Sequence, residues 1–383
     1  MKKILVVHNK YRHIGGEDIA VDNEISLLRN YFRVRELYFE NDIGNFFTQF
    51  FYFLLNRNLK SKNILKNIIK EFNPDLIYIH NTWFKASPQL ITQALKSKAK
   101  VLLKLHNFRY FCTKSYLSKN HFGDLDTCNC CGLNRSSIGL FNMYFSESFY
   151  KSLLVIRYGK KYFKLLNTKN LNLLVLTEFH KNFLYELGIT KNKINVFPNF
   201  LNLKMKNIFD NNENYFLYAG RISKEKGVKE LIDAFLSIEN KNNYKLKIVG
   251  EGPEKNKLEQ SYRNSDIEFL GALENEKVLK LINNSNCVVT ATKLFEGQPT
   301  LLCEASSLEV PSIFPKTGGI SEFFPENYQL SFKQFDYKDL TQKMMDLINH
   351  DDPISIGQEN KIFINKYLDE HTLIKLFDKL TGE

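Results

Sequence analysis

No uninterrupted apolar run in the 383-residue sequence reaches the roughly 18 to 20 residues that span a bilayer as a helix. The opening segment does not read as a secretory leader, because Lys2-Lys3 runs into only four apolar residues, Ile4–Val7, before polar His8-Asn9. The expectation is a cytoplasmic protein. Short-period repeats and long low-complexity tracts are absent too. Acidic residues are scarce in one half: residues 1–200 carry 30 Lys and Arg against 14 Asp and Glu, whereas residues 201–383 carry 23 against 28. The net charge of +11 therefore hides a basic first half and a mildly acidic second. Such an asymmetry points to an anionic partner for the first half, with a membrane surface the first candidate; an Asn/Lys-rich background composition produces the same excess. What is present suits two domains: the length exceeds one ordinary core, and 43% of the residues are hydrophobic.

Apolar, β-rich runs alternate with helical stretches. Ile4–Val7, Leu76–Ile79, Val101–Leu105 and Leu173–Leu176 form one series. Tyr215–Ala219, Lys245–Val249, Ile267–Leu270, Cys287–Thr290 and Pro311–Phe314 form a second, with helices expected over Val228–Ile238, Glu254–Tyr262 and Glu276–Asn283. The pattern implies α/β architecture with parallel sheets covered on both faces. Pro198-Asn199-Phe200 and the polar stretch Lys206–Asn214 separate the two series, and Glu359–Leu380 reads as one or two closing helices. Phe46–Lys70 and Phe141–Leu166 combine aromatic and basic residues, as surface-seeking amphipathic helices do; ordinary core aromatics are the other reading.

The chemistry gathers in the second half. Arg221 follows the strand Tyr215–Gly220, and Lys226 opens the next helix, where two cations and a helix N-terminus can meet a diphosphate. Glu296 sits in a loop with Gly297 and Pro299, and Glu304 lies eight residues later on a helix of small and apolar residues, Leu301, Leu302, Cys303 and Ala305. A carboxylate in such company needs a partner, and a ribose diol is a suitable one. Cations, a ribose acceptor and a second carboxylate for sugar hydroxyls together describe a site for a nucleotide-linked sugar. In the first half, Gly15-Gly16 follow the first strand, where backbone can approach a ligand closely, and His106 ends the strand Val101–Leu105 at the edge where open α/β sheets hold ligands.

In order, Gly220-Arg221, Lys226-Gly227-Val228, Val249-Gly250-Glu251-Gly252-Pro253, Phe269-Leu270-Gly271, Phe295-Glu296-Gly297, Glu304-Ala305 and Gly318-Gly319-Ile320-Ser321-Glu322 resemble the donor domain of GT-B glycosyltransferases, in the large retaining group called family 4. His106-Asn107-Phe108-Arg109 with Cys112, Leu176-Thr177-Glu178-Phe179, Leu187-Gly188-Ile189 and Pro198-Asn199-Phe200 resemble a branch that builds capsules, O-antigens and other bacterial surface polysaccharides. The resemblance implies two Rossmann-like domains facing a central cleft: an acceptor domain over 1–200, joined by a final helix over 366–383, and a donor domain over 203–365. It also implies transfer, with retained configuration and no catalytic metal, from a nucleoside diphosphate sugar of UDP or GDP type. The acceptor would be a saccharide or lipid-linked saccharide, handled on the inner face of the plasma membrane. By the same resemblance His106, Arg221, Lys226 and Glu296 are catalytic, and Gly15, Gly16, Arg221, Lys226, Glu296, Gly297, Leu301 and Glu304 bind the donor. Two positions depart from the pattern: Phe200 stands where Gly is usual, and Gln298 where an aromatic is common. They bear on acceptor and sugar specificity.

Four of the six cysteines, Cys112, Cys128, Cys130 and Cys131, fall within twenty residues, and Cys128 and Cys131 have Cys-x-x-Cys spacing. A structural zinc, with His121 as a substitute ligand, and reduced free thiols are both open readings, with disulfides a third. Cys287 and Cys303 look like core residues. Asp124-Leu125-Asp126 imitates a metal motif of another glycosyltransferase fold but lies in the cysteine-rich loop. Two other functions fit parts of the sequence. A sugar-nucleotide epimerase or phosphorylase would share the donor site, and a nucleic-acid-binding protein would use the basic half, although no nucleic-acid module is recognisable and no nucleic-acid partner is expected.

Overall fold

The structure is a computed structural model that describes residues 1–10, 16–40, 52, 55, 57–83, 85–108, 149–202, 214–263 and 266–382. The chain forms two compact units, Met1–Phe200 with Glu370–Glu383, and Leu201–Asp369.

The first unit runs β1 (Lys3–Lys10), α1 (Gly16–Arg29), β2 (Arg33–Glu40), α2 (Leu59–Phe72), β3 (Leu76–Ile79), α3 (Gln89–Ala94), β4 (Lys100–Leu105), α4 (Phe149–Leu166), β5 (Leu171–Val175), α5 (Glu178–Glu186) and β6 (Ile194–Val196). All its strands are parallel, in the order β2-β1-β3-β4-β5-β6. The central strands are apolar along their length because both faces are covered; Ile4–Val7 and Leu76–Ile79 are buried throughout. Caps set the helix ends. Asn58 accepts from the Ser61 amide at the start of α2, and Asn73, in the left-handed conformation, ends it by donating its amide to Ile69. Thr177 caps α5 by accepting from the His180 amide.

The second unit runs β7 (Tyr215–Ala219), α6 (Val228–Leu236), β8 (Lys245–Val249), α7 (Lys255–Ser261), β9 (Ile267–Gly271), α8 (Asn275–Asn283), β10 (Cys287–Val289), α9 (Thr300–Ser307), β11 (Ser312–Lys316), β12 (Ser331–Lys333), α10 (Tyr337–Ile348) and α11 (Pro353–Tyr367). Its parallel sheet has the order β12-β11-β10-β7-β8-β9. Two apolar cores lie on the two faces of that sheet, one built around Phe235 and Met344, the other around Phe314 and Phe323. Both units are thus Rossmann-like.

A last helix, α12 (Glu370–Thr381), belongs to the first unit. Its Leu373 and Phe377 are buried in the core with Ile4, Val6 and Tyr78, and the Phe377 ring lies 5.4–5.8 Å from those of Phe32, Tyr78 and Phe197.

Candidate functional site

In the second unit the sheet order reverses at β7, which has β8 on one side and β10 on the other. The connections leaving β7 and β10 meet at the carboxyl ends of these two strands, the place where such sheets hold ligands. Gly220, Arg221 and the 3-10 turn Lys224–Lys226 follow β7; Thr292 and Glu296 follow β10. Although 70 residues apart, Lys226 Nζ donates to Glu296 Oε1 at 2.6 Å, and Thr292 Oγ1 donates to the same oxygen at 2.9 Å. Both members of the pair keep solvent access, with side chains 31% and 25% exposed.

Two glycines make that meeting possible. Gly227 (φ +69°) ends the Lys226 turn, where a Cβ would stand 2.0 Å from the Ala291 carbonyl oxygen. Gly318 (φ +58°) passes against Glu296, where a Cβ would come within 2.3 Å of its carbonyl oxygen, and the next residue, Gly319, donates its amide to that oxygen at 2.9 Å. The Lys293 amide donates to the Glu225 carbonyl at 2.9 Å and joins the two loops by their backbones.

Arg221 is exposed, and its guanidinium makes no ion pair with a described residue. Glu304, on α9, is 8% exposed, and its carboxylate has no hydrogen-bond partner among the described residues. Burial pushes its carboxyl up to about 7. Gly297 and Leu301 are half-buried between Glu296 and Glu304. No hydrogen bond or ion pair among the described residues joins Arg221 or Glu304 to the Lys226–Glu296 pair. Cys287 and Cys303 are buried free thiols, pushed well up by burial.

The first unit reverses between β1 and β3. At that edge lies a small pocket whose lining includes Glu17, His80, Trp83, Lys104, His106 and Tyr158. His106 follows β4, and its Nε2 lies 3.0 Å from Nδ1 of His80, which follows β3. The indole of Trp83 meets the Tyr158 ring edge-on at 4.6 Å. Asn107 donates to Glu17 at 3.3 Å. Gly16 opens α1; Gly15, Arg109, Cys112, His121, Asp124, Asp126, Cys128, Cys130 and Cys131 lie outside the described residues. Among the described residues no cluster of three or more His, Cys, Asp or Glu could hold a metal ion.

Reading the sequence singled out His106 but passed over His8, Glu24, His80 and Lys104, all buried, of which His80 and Lys104 line this pocket. A signal was present, since three apolar runs each end in histidine: Ile4–Val7 in His8, Leu76–Ile79 in His80 and Val101–Leu105 in His106.

Residues 200–366 match the family of glycosyl transferases group 1. That match falls on the second unit. Over 398 aligned residues the chain is 24% identical to an uncharacterized glycosyltransferase of Methanocaldococcus jannaschii, covering 99% of each chain. It is 33% identical over 148 residues to the capsular polysaccharide biosynthesis glycosyltransferase CapM of Staphylococcus aureus, covering 36% of this chain and 38% of that one. Among solved structures, sucrose-phosphate synthase from Thermosynechococcus elongatus matches with a TM-score of 0.71 at 15% identity, covering 99% and 98% of the two chains. Anabaena HepE in complex with UDP and glucose matches at 0.69 and 13%, covering all of both. The fold is GT-B. Lys226 and Glu296 lie within the matched residues, whereas the pocket around His106 lies outside them.

Proposed function

We propose that the protein is a retaining glycosyltransferase of family 4. It would move a sugar from a nucleoside diphosphate donor to a saccharide or lipid-linked saccharide in cell-surface polysaccharide synthesis. The observation that carries this reading is the Lys226–Glu296 pair at the sheet reversal of the unit that matches the group 1 glycosyl transferases, with an uncommitted Arg221 on the same strand end. As the bond from the sugar's anomeric carbon to the β-phosphate oxygen breaks, negative charge grows on the diphosphate. Arg221 and Lys226 are assigned to stabilise it, and cations fixed in advance act more strongly on the transition state than on the ground state. The two cations together supply the charge that a catalytic metal would otherwise bring. Glu296, holding Lys226 through one oxygen, has the other for hydroxyls of the transferred sugar. Glu304 is assigned to the ribose diol, Gly297 and Leu301 to the donor's flank, Gly15 and Gly16 to a loop over the donor, and His106 to the sugar.

The relative crystallised with UDP makes UDP the first nucleotide to test. Association with an anionic membrane surface is part of the proposal. On α2, exposed Leu59 and Ile64 are interleaved with Lys60, Lys62, Lys66 and Lys70, an arrangement that suits a lipid headgroup layer. No helix among the described residues is long and apolar enough to cross a membrane. Thermal shifts with UDP, GDP, CMP and ADP, followed by transfer assays with the matching sugars and the anomeric configuration of the product by NMR, test the reading. Stabilisation by one nucleoside diphosphate and an axial-to-axial or equatorial-to-equatorial outcome are expected. An inverted product refutes retention, and a nucleotide sugar consumed without acceptor points to an epimerase. Repeating the shifts with a chelator tests zinc at Cys112, Cys128, Cys130 and Cys131.

A further inference from the structure

Beneath His106 runs a buried polar chain. Nδ1 of His80 faces Nε2 of His106 at 3.0 Å, and on the other side of its ring Nε2 of His80 lies 3.9 Å from Glu24 Oε2. The other oxygen of Glu24 accepts from Lys104 Nζ at 2.8 Å and from the Tyr78 hydroxyl at 3.2 Å. Lys104 Nζ also lies 3.4 Å from the Pro198 carbonyl oxygen and 4.7 Å from the centre of the Phe197 ring. Glu24, His80 and Lys104 are at most 2% exposed. Burial pushes the Glu24 carboxyl up and the Lys104 ammonium down, each against the pull of the other. An ammonium that meets a carboxylate, a carbonyl and a ring face retains its charge, and so does its carboxylate. The two histidines are neutral, because burial holds both well below the usual imidazole range and the Lys104 charge pushes the same way.

A neutral imidazole carries one N–H, so which nitrogen bears it has to be settled along the whole chain. Glu24 Oε2 has no donor among the described residues, and neither ring nitrogen at the two ends of the histidine pair, His80 Nε2 and His106 Nδ1, has a hydrogen-bond partner. With its proton on Nε2, His80 turns an N–H toward the carboxylate; with the proton on Nδ1, it would set a lone pair against it. The first arrangement makes His80 Nδ1 an acceptor for His106 Nε2–H and leaves His106 Nδ1 bare. The far end agrees independently, since a buried acceptor is less costly to leave unpaired than a buried N–H.

We propose that Glu24 and His80 are positioning residues that hold His106 protonated on Nε2 and so fix the ring that lines the first unit's pocket. The part that ring plays in transfer rests on the glycosyltransferase reading; the tautomer does not. The test is long-range ¹H–¹⁵N correlation spectroscopy of the full chain labelled at histidine, with His106→Gln assigning the His106 signals. His106 and His80 are both expected as Nε2–H tautomers. In His80→Leu the His106 signals should move toward a mixture of tautomers, kcat for transfer should fall about tenfold with KM within about threefold, and His80→Asn, which returns an acceptor near the Nδ1 position, should recover most of the loss. Glu24→Gln should shift the His80 tautomer; if it fails to fold, the wild-type and His80→Leu spectra still decide. A wild-type His106 protonated on Nδ1, or His106 signals unchanged by His80→Leu, overturns the proposal. The expected tautomers without any sugar transfer would instead overturn the function proposed above and leave the histidine chain standing.

Discussion

Lys226 and Glu296 sit where neither is fully desolvated, so their pair contributes about 1 kcal/mol or less to folding, while its effect on transfer should be much larger. Lys226→Ala and Glu296→Ala are each expected to lower kcat/KM by about 10² to 10³ with the melting temperature nearly unchanged. Wild-type transfer rates in either variant would remove both residues from the site. Glu304 differs because it is buried. Its carboxyl titrates about 7 in the folded chain against 4.5 ordinarily, so the folded state bears no penalty below about pH 4.5 and loses stability as pH rises through 7. Glu304→Gln should therefore be more stable than wild type at about pH 8, by up to roughly 3 kcal/mol, and equal to it in acid. A bound ribose diol favours the charged form, so wild-type affinity for a nucleotide sugar should rise as pH passes 7, and the Gln variant should lose that dependence. Equilibrium denaturation and titration calorimetry across this range check both statements. The positions of Glu296 in a loop and Glu304 on a helix were legible in the sequence from Gly297-Gln298-Pro299 and the small residues that follow. The convergence of His8, His80 and His106 was not, because only the strand order β1-β3-β4 makes three histidines distant in sequence neighbours in space.

Single glycines and one aromatic ring decide how elements seat. Gly318→Ala puts a methyl group into the Glu296 backbone and forces a left-handed alanine, so a loss of about 2 kcal/mol or more is expected, with transfer falling in step as Glu296 shifts. Unchanged melting and unchanged transfer in that variant would show that the two loops are not held by this contact. Phe377→Ala on α12 removes a fully buried ring from the first unit's core and should cost about 3–5 kcal/mol, read as lost hydrogen-exchange protection in β1 and β3. Central strands were legible as apolar runs because both their faces are covered. The edge strands β2 and β12 were not. β2 mixes charged and apolar residues with only Leu37 and Phe39 buried, and β12, like the edge strand β6 of the first unit, is only three residues long, so neither periodicity nor composition marks it.

At the scale of the whole molecule the charge is divided much as the chain is, with the excess of Lys and Arg confined to residues 1–200. Sedimentation with vesicles rich in phosphatidylglycerol should show binding that falls at least tenfold between about 0.05 and 0.5 M salt and weakens further in a Lys60→Glu, Lys66→Glu double variant. Salt-insensitive binding, or none, would leave the basic excess as background composition. The return of α12 to the first unit also sets an order of events during synthesis. The ribosome must complete residues 201–369 before it makes Leu373 and Phe377, and at about 5–20 residues per second that takes roughly 10–30 s. Through that interval Phe32, Tyr78 and Phe197 lack the ring that closes over them. The second unit, whose two cores are filled among the described residues from within its own span, is able to finish first, so the half of the chain translated earlier is the half completed later.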